Sequence, residues 1–123
     1  MPAAPLIAVK RVYDSLDAAD GLRVLVDRLW PRGLSKDAAA LDEWAKAVAP
    51  STALRQWLHA DPGRWPEFPA RYRAELAEPG PAAALRSLRA TAAQGKVTLL
   101  YGTRDEKRNH ALVLRDVLLA VKT

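Results

Sequence analysis

The chain has 123 residues, half of them apolar and 27% charged, which suits one globular domain with its own core and excludes disordered and fibrous classes. It has no cysteine, so disulfides, zinc-finger ligation and thiol nucleophiles are excluded together. Nineteen Lys and Arg against fourteen Asp and Glu leave a formal charge of +5, which favours anionic partners in general, although the excess is spread along the chain.

Residues 1–10 lack the basic start and long apolar run of a signal peptide, and no later apolar run approaches the span of a bilayer. The chain therefore reads as soluble and cytoplasmic, with no membrane partner. Residues 6–12 form a short β-branched apolar segment that suits a strand, and residues 22–26 form a second, closed by Pro31 and Gly33. Leu41, Trp44, Ala45 and Val48 recur at helical spacing and predict a helix within 34–49. Ser51 suits the N-cap of a next helix with apolar positions Leu54, Trp57 and Leu58, and Asp61, Pro62 and Gly63 signal a turn.

Trp65, Phe68, Tyr72 and Leu76 make a further helical stripe, whose regular part begins near Pro66 because proline is tolerated only in a first turn. The run 78–81 ends it. Residues 82–94, with Leu85 and Leu88 inward and Gly95 as C-cap, predict the clearest helix. A strand at 96–101, a charged loop at 102–108 and a last helix carrying Ala111, Leu114, Val117, Leu118 and Val121 complete the chain. Strands alternating with helices predict an α/β fold: a single small domain with a short, mostly parallel sheet and helices packed on it.

Ligand sites in such sheets gather beyond the carboxyl ends of the strands. Those ends deliver Arg11 and Tyr13, then Asp27, Arg28 and Arg32, then Tyr101, Arg104, Asp105, Asn109 and His110. Asp27, Arg28 and Arg32 read either as an anion site, with arginines gripping a phosphate or carboxylate, or as an Arg-carboxylate pair closing a strand end. His110 with Asp105 and Asn109 reads as a general acid/base group near a helix start, or as a helix cap with a histidine beside it. His59, Asp61 and His110 come from distant segments and make a poor metal set. Trp44, Trp57 and Trp65 fall at core spacing, whereas Trp30 lies in the loop beside Arg28 and Arg32 as a candidate ligand contact. The sequence has no phosphate-cradling Gly-Lys-Ser/Thr loop, no GxGxxG after a strand, no serine elbow and no zinc spacing, so any chemistry here is expected without a cofactor.

Four ordered segments carry a resemblance: VLVDRLWPRG at 24–33, WAKAVAPS at 44–51, WLHADP at 57–62 and LLYGTRDEKRNHA at 99–111. Together they span most of the chain and resemble the successive motifs of the YeaO-like family of bacterial proteins of unknown function. The resemblance puts Asp27, Arg28, Pro31, Arg32 and Gly33 in a first signature loop and Asp105, Asn109 and His110 in a last one. It puts Trp44, Lys46, Pro50, Ser51, Trp57, His59, Asp61, Trp65, Phe68 and Tyr72 in the middle motifs, mostly as packing and capping residues. Leu58 stands where that family is expected to have an aromatic residue, and Ala60 where it is expected to have a polar one.

The resulting expectation is a domain that binds a small anionic ligand, phosphate-like or nucleotide-like, with cofactor-free acid/base chemistry by Asp27, His110 and Asp105 left open. Arg11, Tyr13, Arg28, Trp30, Arg32, Tyr101 and Asn109 are the expected ligand contacts. The alternative is a non-catalytic nucleic-acid-binding or protein-interaction module using the same arginines. A concave pocket holding Arg28, Arg32 and His110 favours the first reading, and a flat basic surface the second.

Overall fold

The computed structural model describes residues 6–120. Four strands, β1 (Ile7–Arg11), β2 (Leu22–Leu25), β3 (Glu43–Trp44) and β4 (Val97–Tyr101), form one sheet in the order β1-β4-β2-β3, every pairing parallel. β4 is one of the two inner strands of the sheet. Its sequence VTLLY has no polar alternation, as befits a strand covered on both faces, and all five residues are buried. Ile7 and Leu22 both pair with Val97, so the carboxyl ends of β1, β2 and β4 finish level.

Strand alternation sorts the side chains into two layers. Val24, Val26, Val97, Leu99 and Tyr101 face the larger one, where they meet Leu54, Phe68, Tyr72, Leu76, Leu88, Leu114 and Leu118. Those residues come from α2 (Thr52–Ala60), α3 (Phe68–Leu76), α4 (Pro79–Gln94) and α5 (His110–Leu119). Val12, Leu25 and Leu100 face a smaller layer with Ala39, edged by Trp30, Leu34, Leu41 and Trp44. Among the described residues no helix is long and apolar enough to cross a membrane.

The small layer also buries charge. Arg23 is only 1% exposed, and its Nη1 sits 2.6 Å from Asp20 Oδ2 while Nη2 donates to the Ala39 carbonyl at 2.9 Å. Lys10 Nζ lies 3.2 Å from Asp20 as well. Burial works to raise the Asp20 carboxyl, but hydrogen bonds from the Asp17 amide, Lys10 and Arg23 outweigh it and hold the group below its ordinary range.

The helix expected within 34–49 is cut to one turn that ends before Leu41. The segment instead gives a single turn, α1 (Lys36–Ala39), then β3, then a 3-10 turn at Lys46–Val48. α1 stops at Ala40, which adopts the left-handed conformation with φ 47°. Beyond it the chain finds better backbone partners on the open edge of β2: the Asp42 amide donates to Arg23, the Ala45 amide to Leu25, and Asp42 Oδ2 accepts from the Arg23 amide. The helical spacing is a coincidence of two layers, with Leu41 and Trp44 packing on one sheet face while Ala45 and Val48 pack on the other.

The remaining helices lie close to expectation. Ser51 caps α2 by accepting from the Leu54 amide at 3.0 Å, and Glu75 binds the Ser51 amide and hydroxyl from α3. Asp61 caps a 3-10 turn at Pro62–Glu67 that leads into α3 at Phe68. α4 starts at Pro79 rather than at residue 82, because a proline at the first helical position gives up an N–H that the helix does not use. Of the stripe expected on α5, Val121 lies outside the described residues.

Candidate functional site

β2 and β4 are adjacent, so the turns that follow them meet at the carboxyl end of the sheet. Asp27, just beyond β2, reaches across and accepts from the Gly102 amide through Oδ2 at 2.9 Å. Gly102 leaves room for that approach: a Cβ on it would stand 2.9 Å from the same oxygen, which would have to shift. The other carboxylate oxygen, Oδ1, lies 2.9 Å from His110 Nε2. That nitrogen also lies 3.0 Å from the Val26 carbonyl, which can only accept, so Nε2 carries a hydrogen directed at the carbonyl. Oδ1 is thus shielded from solvent without a hydrogen bond of its own, and its contact with the ring is electrostatic.

His110 is the first residue of α5, and Asn109 ahead of it is the N-cap, accepting from the Leu112 amide at 3.0 Å and donating to the Asp105 carbonyl at 3.0 Å. The ring of Tyr72 meets His110 edge-on, with centroids 6.3 Å apart. Its hydroxyl donates to the Val48 carbonyl, and burial pushes its ionisation well above the ordinary range, so it stays neutral.

Around this corner the structure opens a pocket of about 460 Å³. Of the residues the sequence nominated, it brings together Tyr13, Asp27, Arg28, Trp30, Arg32, Asn109 and His110. Arg28 is partly committed, donating from Nε to the Pro50 carbonyl at 3.0 Å and from Nη2 to that of Ala49 at 3.2 Å. Trp30 donates to the Leu34 carbonyl and sets its ring edge-on to Trp44, while Tyr13 donates to the Arg32 carbonyl.

Three nominated residues stand outside the lining. Arg11 lies over the Tyr13 ring and donates to the carbonyls of Thr103 and Gly102, pinning the turn after β4. Tyr101 is 3% exposed and belongs to the core, where burial raises its phenol. Asp105 points to solvent and accepts from the Lys107 and Arg108 amides at 2.9 Å, bonds that hold its carboxyl below the ordinary range. Its visible task is to shape the turn before α5.

Sequence reasoning left out Arg55, Leu58 and His59 from α2, Trp65 and Phe68 from the following segment, and Arg108, all of which line the pocket. A signal was present for the α2 group, since 55, 58 and 59 share one helical face. Arg28, Arg32, Arg55 and Arg108 have no carboxylate partner among the described residues, and Asp27 is the one acidic side chain in the lining. The pocket is therefore electropositive and has one apolar, aromatic wall. No group of three or more His, Asp or Glu side chains among the described residues is placed to hold a metal ion. A second hollow of about 360 Å³, over Ser51, Trp57, Arg71 and Glu75, lies away from the strand ends, and its Glu75 is taken up by Ser51.

Fold and site together define a small all-parallel α/β domain with a cationic pocket at the carboxyl ends of its strands. The chain belongs to the DUF488 family, matching over residues 6–122 the group described as the inactive DUF488-N3 subclade. It is 46% identical over 112 residues to the uncharacterized protein YeaO of Escherichia coli K12, covering 91% of this chain and 96% of that one. It is equally 46% identical to the uncharacterized protein Rv3073c of Mycobacterium tuberculosis, covering 91% of this chain and 92% of the relative. No solved structure matches it.

Proposed function

We propose that the protein is a cytoplasmic binding domain for a small anionic ligand, phosphate-like or nucleotide-like in class, seated in the pocket beyond β2 and β4. The observation that carries this reading is the imbalance of charge: four arginines line one concavity with a single carboxylate, and none of the four has an acidic partner among the described residues. Guanidinium groups grip phosphate and carboxylate oxygens in pairs, and a walled site strengthens that grip by excluding water. Trp30, Trp65 and Leu58 supply the apolar area that a ring on such a ligand would cover.

Binding without turnover is the favoured form. The matching subclade is described as inactive, and Asp27 spends Oδ2 on a backbone amide and keeps Oδ1 shielded from solvent, so neither oxygen of its carboxylate is free to serve as a base. The concave shape favours a small ligand over a nucleic-acid duplex, which would meet a flatter basic face.

A thermal-shift series with sulfate, phosphate, nucleoside monophosphates, sugar phosphates and short oligonucleotides tests this. A ligand at a hundredfold excess over its Kd adds about 2.7 kcal/mol, roughly a 10 °C rise for a domain of this size. We expect that rise with at least one small anion and its loss in Arg55→Ala and Arg108→Ala. Stabilisation by oligonucleotides alone, fading with salt, would refute the pocket reading.

A further inference from the structure

We infer that His110 is a protonatable ligand contact, and that an anion entering the pocket binds together with a proton taken up on His110 Nδ1. The inference rests on the anion-binding reading and deepens it. Nε2 is spent on the Val26 carbonyl, 3.0 Å away, so a neutral ring carries its hydrogen there and leaves Nδ1 as a bare lone pair. Nδ1 makes no hydrogen bond among the described residues, and His110 is part of the pocket lining. A bare lone pair would repel an anionic oxygen. An imidazolium would instead donate Nδ1–H to it, a charge-assisted hydrogen bond.

The groups around the ring make the proton conditional on the anion. Asp27 Oδ1, 2.9 Å from Nε2 and without a hydrogen bond of its own, favours the imidazolium. Arg28, Arg32, Arg55 and Arg108, with His59, share the pocket and oppose a further positive charge. Tyr72, packed against the ring from α3, is neutral and takes no side. A bound anion offsets the arginines and leaves Asp27 to prevail. Asp27 is on this account a positioning residue, acting on the ligand only through the histidine. A ligand that brings two negative charges is favoured over an uncharged isostere, and binding is linked to pH by the proton it carries.

Sulfate is the probe, because its own charge does not change between pH 5.5 and 8.5, roughly the range in which histidine titrates. Its Kd would be measured by calorimetry across that range for the parent, His110→Gln and His59→Gln. Glutamine at 110 keeps a donor for the Val26 carbonyl, and near-ultraviolet circular dichroism would confirm the fold of each variant. We expect parent affinity to weaken by up to about tenfold per pH unit through the titration, His59→Gln to keep that pH dependence at whatever affinity it binds, and His110→Gln to bind with little pH dependence. At fixed pH 7, sulfate should also move the His110 ring carbons in the NMR spectrum toward the imidazolium position. Sulfate binding that is independent of pH, or that loses its pH dependence in His59→Gln, overturns the inference and leaves the pocket standing. No binding of sulfate, phosphate, nucleoside monophosphates or sugar phosphates at any pH overturns the pocket reading itself.

Discussion

Replacing Gly102 by alanine tests the contact on which the site is built. The added Cβ would stand 2.9 Å from Asp27 Oδ2 and 3.9 Å from the Pro31 Cβ, so the first contact must open while the second is ordinary packing. Oδ2 has to retreat by about half an ångström to reach normal separation, given that carbon and oxygen settle near 3.4 Å or beyond. The carboxylate is held by the Gly102 amide itself, at 2.9 Å, so the movement stretches a charge-assisted bond worth about 1.5–3 kcal/mol. Loss of glycine's freedom in the unfolded chain returns about 0.4–1 kcal/mol, and the net expectation is a destabilisation of roughly 1–2 kcal/mol. Urea unfolding of the parent, Gly102→Ala, Asp27→Ala and the double variant forms a cycle whose coupling reports the contact directly. With Asp27 truncated, Gly102→Ala should cost nothing or stabilise slightly. Equal costs in both backgrounds would show that the glycine serves something other than the carboxylate, and the account of the corner would be wrong.

Three further outcomes follow from other parts of the fold. Asp20→Ala leaves Arg23 buried without its counter-charge and should cost about 3–5 kcal/mol in urea unfolding, whereas Asp20→Ala with Arg23→Leu should recover a large part of it. The Asp20 carboxyl is held below its unfolded value, so its contribution is present above about pH 4 and is lost as pH falls through the lower folded value; a parent whose stability is flat between pH 5 and pH 2 would contradict this. Ser51→Ala removes the α2 cap and leaves Glu75 with the Ser51 amide alone, for an expected loss of about 1–2 kcal/mol and a drop in sulfate affinity, since Arg55 and His59 stand on that helix.

What was readable in the sequence divides along physical lines. The strands at 6–12, 22–26 and 96–101 and the four longer helices announce themselves through local periodicity, prolines and caps, and these are the signals that local sequence carries. β3 has two residues and exists only because β2 offers an open edge, so no periodicity of its own marks it. The same limit governed the site. Asp27, Arg28 and Arg32 stand next to a strand end and were found, while Arg55 and His59 reach the pocket from α2, about thirty positions further along, and depend on how that helix lies across the sheet. Tyr101 and Arg11 also sit at strand ends, as register partners, but Tyr101 on the inner strand β4 is covered by the core whereas Arg11 on the edge strand β1 lies along the turn after β4.

The arginines themselves separate scaffold from site. Arg11, Arg23 and Arg28 each spend guanidinium hydrogens on backbone carbonyls, and removing any of them strands acceptors that the fold has arranged. Arg32, Arg55 and Arg108 make no such bonds among the described residues, yet they converge with Arg28 on one concavity, where like charges raise each other's energy. Nothing in the fold requires that convergence: helix capping, sheet pairing and both apolar layers would survive neutral residues at those three positions. Charge gathered without carboxylate partners, beside a histidine braced by a carboxylate at the carboxyl ends of a parallel sheet, is what a site for an anion requires. Arg32→Gln, Arg55→Gln and Arg108→Gln combined should therefore hold or raise the melting temperature of the unliganded protein while abolishing its response to sulfate. A melting temperature that falls by several degrees instead would assign the three arginines to the fold.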